Sequence, residues 1–169
     1  MSSLWRRLLS AALLAMLICT GACSEAAPTS ASGTVEWIYD GDTLKVSGIG
    51  KVRLIGIDTP EREDSSRDQN FTRLGASQRQ LRPSGQAALR FNIAQAKGKT
   101  VRLRFDGPQK DRHNRTLAYV YLPDGRMLNR LLLEQGYAVV YRRFDFRYKD
   151  DFLRAEAAAR EARLGLWGD

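Results

Sequence analysis

Short runs in which apolar and polar residues alternate begin near Gly33, and they constrain the fold more than any other feature of the chain. Every second residue from 35 to 39 is apolar or aromatic, and the same period recurs over residues 44–46 and 52–57. This period is typical of β-strands with one buried face. Two glycines between the second and third runs predict a hairpin turn, and Pro60 ends the third run.

Two further alternating runs, at residues 101–105 and 117–122, bring the predicted strands to five. Residues 61–82 are polar without a period and predict a long exposed loop. Five short strands with one inserted helix and more helices at the end favour a mainly β fold with α-helices (α+β). The expected architecture is a five-stranded OB-fold barrel with about three helices. The helices are predicted at residues 84–97 with Ser84 as N-cap, at 128–135, and at 152–162 with Glu156 and Arg160 paired on its outer side.

The first 22 residues have the pattern of an export signal rather than of a folded segment. Two arginines precede an apolar run, Leu8 to Ile18, of about 11 residues, too short to span a bilayer comfortably. Small residues then lead to Cys23, which is either the lipidated first residue of a lipoprotein or lies beside a simple cleavage site. Residues 23–32 are predicted to be a flexible tether and residues 33–169 a single domain. The expected location is the cell envelope, through a lipid anchor, or the periplasm or medium.

Both cysteines, Cys19 and Cys23, lie in or at this signal, so the domain has neither a disulfide nor a thiolate zinc site. Net charge is +8, which falls to +6 without the two signal arginines, and 21 of the 27 basic residues are arginine. Arginine binds phosphate in bidentate geometry, so the bias suits a polyanionic partner. Genomic base composition explains the bias equally well, so the charge supports nucleic acid without establishing it.

Acidic residues beside turns end two of the apolar runs. Asp40 and Asp42 flank a glycine, and Asp58 and Glu61 follow the third run, from which Arg53 points out of phase with its apolar neighbours. Converging carboxylates and a fixed guanidinium suit metal-assisted chemistry on a phosphate ester, with Mg²⁺, Mn²⁺ or Ca²⁺. The alternatives are a common Asp-Gly turn, a solvated loop acid and a surface arginine.

The single histidine, His113, excludes several other routes to phosphodiester cleavage. Two-histidine ribonuclease chemistry and a zinc site built on histidines both lack their residues. A glycine-rich phosphate loop is absent from the sequence as well. His113 itself is either a phosphate contact or a plain surface residue.

Six segments in order carry a resemblance to the thermonuclease (staphylococcal nuclease) family over nearly all of residues 33–167. This resemblance implies an OB-fold barrel and calcium-dependent hydrolysis of DNA and RNA, with cleavage of the 5′ O–P bond to leave 3′-phosphates. The segments are Asp40-Gly41-Asp42-Thr43, Arg53-Leu54, Ile57-Asp58-Thr59-Pro60-Glu61, Asp111-Arg112-His113-Asn114-Arg115, Leu117-Ala118-Tyr119-Val120-Tyr121 and Leu164-Gly165-Leu166-Trp167.

Position by position, the resemblance implies that Asp42, Asp58 and the Thr59 carbonyl bind Ca²⁺, and that Glu61 positions or deprotonates the attacking water. Arg53 and Arg115 correspond to two arginines that grip the scissile phosphate. Arg112 and His113 are further candidates for substrate contact. Asn114 stands where the family usually has glycine, and asparagine is the next most tolerant residue for positive φ.

The resemblance leaves two main functional interpretations open, beside a third in which a structural lipoprotein of the envelope has merely kept the fold. The first is an exported, sugar-nonspecific nuclease that contacts the DNA or RNA backbone, acts as a monomer, and meets the membrane only through an anchor at Cys23. The second is a non-catalytic OB-fold nucleic-acid-binding protein of the envelope. Residues 62–82, longer than the family's short form, are expected either to line a nucleic-acid groove or to be an inert insert.

Overall fold

A computed structural model of the protein describes residues 29–168. Five of its strands close into a barrel in the order β1-β2-β3-β6-β5, with β3 and β6 parallel and the other pairs antiparallel. The predicted five-stranded OB-type barrel is therefore confirmed. The strands are β1 (Ser30–Ile38), β2 (Thr43–Val46), β3 (Gly50–Leu54), β4 (Ile57–Asp58), β5 (Thr100–Arg104), β6 (Thr116–Tyr121) and β7 (Val139–Val140).

Four α-helices occur within residues 29–168, one more than the sequence suggested. None of them is long and apolar enough to cross a membrane, as far as this part of the chain shows. The alternate apolar side chains of the barrel strands and the inner sides of the long helices form one core. The helices are α1 (Asp68–Thr72), α2 (Leu81–Ala96), α3 (Leu128–Glu134) and α4 (Lys149–Glu161), with 3₁₀ turns at Gln78–Gln80 and Gly165–Trp167.

Strand β1 starts three residues before the domain boundary predicted at Gly33. Residues Ser30 to Thr34 pair with Arg104 to Thr100, so the last part of the predicted tether belongs to the barrel. No apolar pattern indicated this part of the strand, because its residues are small and polar and pair through the backbone. Cys23 and the export signal lie outside the described residues.

The prediction that residues 61–82 form an exposed loop is wrong. This segment contains α1 and a 3₁₀ turn, and its Phe71 and Leu81 side chains are completely buried. Helix α2 begins at Leu81, so Ser84 is not its N-cap. Pro83 lies in the first helical turn, where the lack of an N–H costs little because the N–H groups of that turn have no intrahelical acceptor.

Beyond the barrel, β4 and β7 form a separate two-stranded sheet that the sequence did not predict. Strand β3 ends at Leu54, and Gly56, with φ of 79°, turns the chain into β4. Ile57 then pairs with Val140, and Asp58 pairs with Val139. One acidic residue of the candidate site therefore lies on this small sheet.

A buried carboxylate on α4 fixes β7. Glu156 is only 2% exposed, which corrects its predicted place on the outer side of the helix, although its pairing with Arg160 is present at 3.1 Å. Its Oε2 accepts a hydrogen bond from the Val140 N–H at 2.6 Å, and its Oε1 pairs with Arg142 at 2.6 Å. The helix thereby holds β7, and β7 holds β4.

We expect Glu156→Gln to destabilise the fold by about 2–3 kcal/mol. Breaking a buried ion pair is costly, but both arginines stay partly in water, which reduces the loss. Urea unfolding measures the change, and Glu161→Gln on the exposed part of the same helix is the control. Equal free energies of unfolding for the two variants would contradict this role of Glu156.

Candidate active site

Two chain segments meet at Asp42, which lies in the turn before β2. Its Oδ2 accepts hydrogen bonds from the backbone N–H of Thr59 at 3.1 Å and from the Thr59 hydroxyl at 3.2 Å. Its Oδ1 accepts the Thr43 hydroxyl at 3.1 Å. The Asp40 carboxylate accepts the Asp42 N–H at 2.9 Å, and burial raises the pKa of Asp40 although nearby Arg53 opposes the shift. Asp42 thus joins the β2 turn to the segment after β4.

Arg53 connects the two aspartates. One guanidinium nitrogen pairs with Asp42, while the other lies 2.8 Å from Asp58 Oδ1 and donates to the Ile57 carbonyl at 3.2 Å. Its side chain is 13% exposed, and this burial lowers the pKa of Arg53, an effect that the Asp58 charge opposes. Arginine stays charged at neutral pH even so. The structure therefore places a fixed cation between two carboxylates.

Arg67 also contacts this group, although sequence reasoning missed it. It precedes α1, and its guanidinium pairs with Asp58 and, at 2.6 Å, with Glu61 Oε1. Burial lowers the pKa of Arg67, but the charges of Asp58 and Glu61 outweigh this and raise it overall. Its side chain is 40% exposed, so it is the less enclosed of the two guanidiniums on Asp58.

Asp111 holds Arg115 beside the acidic group. Its carboxylate accepts the Arg115 backbone N–H at 2.9 Å and the Arg115 Nε–H at 2.8 Å. The Arg115 Nη1 donates to the Thr43 hydroxyl at 3.3 Å, and that hydroxyl bonds Asp42. Burial raises the pKa of Asp111, but these hydrogen bonds lower it overall. Asn114 has φ of 59°, which confirms the predicted left-handed turn.

The other two predicted substrate residues lie apart from the acidic group. Arg112 and His113 are exposed, and the Arg112 Nε–H donates to His113 Nε2 at 3.1 Å. Among the described residues, no hydrogen bond or ion pair joins either side chain to Asp42, Asp58 or Glu61.

Helix α2 supports both acidic segments through close backbone approach. The buried Asn92 side chain donates to the Gly41 carbonyl at 2.9 Å. A Cβ on Gly41 would lie 2.7 Å from that of Ala88, and one on Gly85 would lie 2.6 Å from the Pro60 carbonyl oxygen. These two glycines let the helix lie directly against the turns.

The donor set fits a hard divalent cation. Asp42, Asp58 and the Thr59 carbonyl offer oxygen ligands only. The two carboxylates already pair with the cationic side chains of Arg53 and Arg67. Within residues 29–168, no group of three or more acidic, histidine or cysteine side chains is arranged around one metal position.

The chain thus combines a closed OB-type barrel with carboxylates and arginines that pair closely, an arrangement suited to chemistry on phosphate esters. A family model described as "Staphylococcal nuclease homologue" matches residues 51–169, more than half of the chain. The chain belongs to the staphylococcal nuclease homologue family.

Named relatives agree with this assignment. A thermonuclease of Staphylococcus hyicus is 31% identical over 136 residues, covering 78% of this chain and 73% of the relative. Endonuclease YncB of Bacillus subtilis is 32% identical over 140 residues, covering 79% and 60%. An uncharacterized protein of Methanocaldococcus jannaschii is 37% identical over 147 residues, covering 80% and 70%. Together, the family match and these relatives support a nuclease.

We expect Gly85→Ala to destabilise the protein by about 1–3 kcal/mol, the usual cost of overpacking. On the exposed side of a helix, Gly→Ala would stabilise the protein by roughly 1 kcal/mol. A loss of stability in Gly85→Ala would therefore report the close contact with Pro60. Urea unfolding measures it, with Gln86→Ala on the exposed side of α2 as the control. A variant as stable as the wild type would show that the turn after β4 does not depend on this contact.

Proposed function

We propose that the protein is an exported, Ca²⁺-dependent nuclease that hydrolyses phosphodiester bonds of DNA and RNA and leaves 3′-phosphates. The observation that carries the proposal is the junction of Asp42, Arg53 and Asp58, with Glu61 joined to it through Arg67. Such a junction combines cation-binding oxygens, a phosphate-binding guanidinium and a further carboxylate, Glu61, which pairs with Arg67.

Asp42, Asp58 and the Thr59 carbonyl would hold the calcium. When bound, the ion would polarise a phosphate oxygen and neutralise charge that builds up on the reacting group. The oxygen-only donor set supports a hard cation, and the family resemblance favours Ca²⁺ over Mg²⁺.

Glu61 is the proposed water-orienting group. Its carboxylate accepts a proton from the attacking water as the water oxygen bonds to phosphorus and the 5′ oxygen leaves. Arg53, which pairs with Asp42, and Arg115, which donates to the Thr43 hydroxyl, both contact the phosphate. Their fixed charges act most strongly when the phosphorus group carries extra negative charge, so they stabilise the transition state.

Contacts to the sugar-phosphate backbone explain action on both DNA and RNA. The mature chain is basic, and phosphate contacts carry little sequence information. Two aromatic residues beside β4 offer base stacking without sequence preference. Phe144 is exposed, and its ring centroid lies 5.1 Å from that of Tyr141. The Tyr141 N–H donates to the Gly56 carbonyl at 2.9 Å, which places the pair next to β4. Arg112 and His113 are available for outer phosphates.

The proposed location rests on the sequence of residues 1–22 and Cys23. Their short apolar run supports export, with either a lipid anchor at Cys23 or cleavage nearby. The proposed active form is a monomer.

Two substitutions test the roles of the carboxylates in the purified mature domain. Glu61→Gln should lower kcat on plasmid DNA and RNA by at least about 100-fold, the usual loss for a positioned base, while Ca²⁺ binding by calorimetry persists. Asp42→Asn should raise the Ca²⁺ concentration needed for half-maximal activity, because a charged ligand is lost. Wild-type turnover should vanish in EGTA and return with added CaCl₂.

Binding without cleavage is the outcome that overturns the proposal. If the wild type binds single-stranded DNA but cuts neither DNA nor RNA at millimolar Ca²⁺ and mildly alkaline pH, the protein is a non-catalytic binding module.

A separate test concerns Arg67. Because its guanidinium occupies an oxygen of Asp58, a proposed calcium ligand, it competes with a cation for that carboxylate. Arg67→Gln should bind Ca²⁺ about fivefold more tightly, which corresponds to roughly 1 kcal/mol for a partly exposed ion pair. Calorimetric titration without substrate measures this, and Arg62→Gln, an exposed neighbour with the same charge change, is the control. Equal affinity in the two variants would mean that Arg67 does not compete.

A further inference from the structure

A row of aromatic and lysine side chains lies on the outer side of the first three strands. Trp37 is 53% exposed, and the Lys97 ammonium lies 4.7 Å from its ring centroid. The Lys51 ammonium lies 4.8 Å from the centroid of Tyr39. With Lys45, these residues form a surface that we call the aromatic–lysine ridge.

The ridge is continuous with the candidate active site. In the sheet register, Thr43 pairs with Arg53, Lys45 with Lys51, and Trp37 with Lys45. Residues two apart on a strand point to the same side, so Lys51 lies on the same face of β3 as Arg53, with Lys51 exposed and Arg53 largely covered. The two residues along β3 from Arg53 to Lys51 span about 7 Å.

The active site uses arginine and the ridge uses lysine, and this difference suits a single nucleic-acid strand that contacts both. At the active site, arginines held by carboxylates offer a fixed fork for a single phosphate. Along the ridge, lysines offer point charges on flexible stems, which can follow a backbone without fixing its geometry. Three of the six lysines in the sequence lie here.

One internal partner competes for the ridge. Lys45 pairs with Glu36 at 2.9 Å, and both side chains are about half exposed. A surface pair of this kind contributes little, so a phosphate can replace the carboxylate. Trp37, Lys51 and Lys97 are exposed and need not give up a carboxylate partner to bind a phosphate or a base.

We propose that the aromatic–lysine ridge binds the single-stranded stretch of nucleic acid that adjoins the scissile phosphate. Bases stack on Trp37 and Tyr39, while Lys51 and Lys97 contact phosphates. The bases must be unstacked from a partner strand to reach the rings, so the ridge favours single strands. This inference rests on the proposed function for the position of the scissile phosphate.

The test compares a dinucleotide with a single-stranded octanucleotide by fluorescence anisotropy in EGTA, where no cleavage occurs. Trp37→Ala and Lys51→Gln should each weaken octanucleotide binding, the first by about tenfold, as expected for one lost stacking contact. Dinucleotide binding should stay unchanged. Trp37→Phe should restore most of the affinity because it keeps a ring.

Arg102→Gln is the matched control. Arg102 is an exposed cation 4.7 Å from the centroid of Tyr121, on β5, and its loss changes the net charge as Lys51→Gln does. If Arg102→Gln weakens octanucleotide binding as much as Lys51→Gln does, only overall charge matters and the inference fails. Unchanged octanucleotide binding in Trp37→Ala overturns it too.

An anionic membrane surface is the other partner that tryptophan and lysine suit. If Trp37→Ala loses binding to phosphatidylglycerol vesicles but keeps oligonucleotide binding, the ridge is a membrane contact and the proposal is wrong. Because these assays need no turnover, they separate failure of the ridge from failure of the nuclease proposal, which the Ca²⁺ cleavage assay decides.

Discussion

Asp42 is a buried carboxylate that requires hydrogen-bond donors, and this requirement organises the candidate site. An ionised group that leaves water must be paired, and Asp42 finds its partners in Thr43, Thr59 and Arg53. These partners come from three different segments, so satisfying Asp42 brings the β2 turn, β3 and the segment after β4 into contact. Helix α2 then closes against the assembled turns, which only glycine at positions 41 and 85 permits.

Charge balance within the site follows from the same requirement. Asp58 receives two guanidiniums on one oxygen, one from the barrel and one from the segment before α1. The barrel arginine is enclosed and fixed, whereas Arg67 is attached to a short helix and reaches in from the surface. The site therefore combines an enclosed cation with a partly exposed one, and the insert of residues 62–82 takes part in the electrostatics of the site.

The sequence was sufficient where local pattern determines structure. Alternation predicted the five barrel strands, and the spacing of Asp42, Arg53 and Asp58 predicted residues that do come together, because each lies at or near the end of a strand. Arg67 and Glu156 were missed because their surroundings come from distant segments. Glu156 looked like an outer residue of an amphipathic helix, and only the docking of β7 against α4 buries it. The start of α2 was misplaced because Pro83 was not recognised as a first-turn residue.

The pairing of Asp58 with Val139 has a consequence for the order in which the protein becomes complete. Asp58 lies on a two-residue strand whose partner follows it by about eighty positions, and that partner depends in turn on Glu156 in the last helix. A chain still being synthesised can contain every acidic residue of the site and yet lack the strand that orders one of them. The pairing that positions Asp58 therefore needs residues as far along the chain as Glu156.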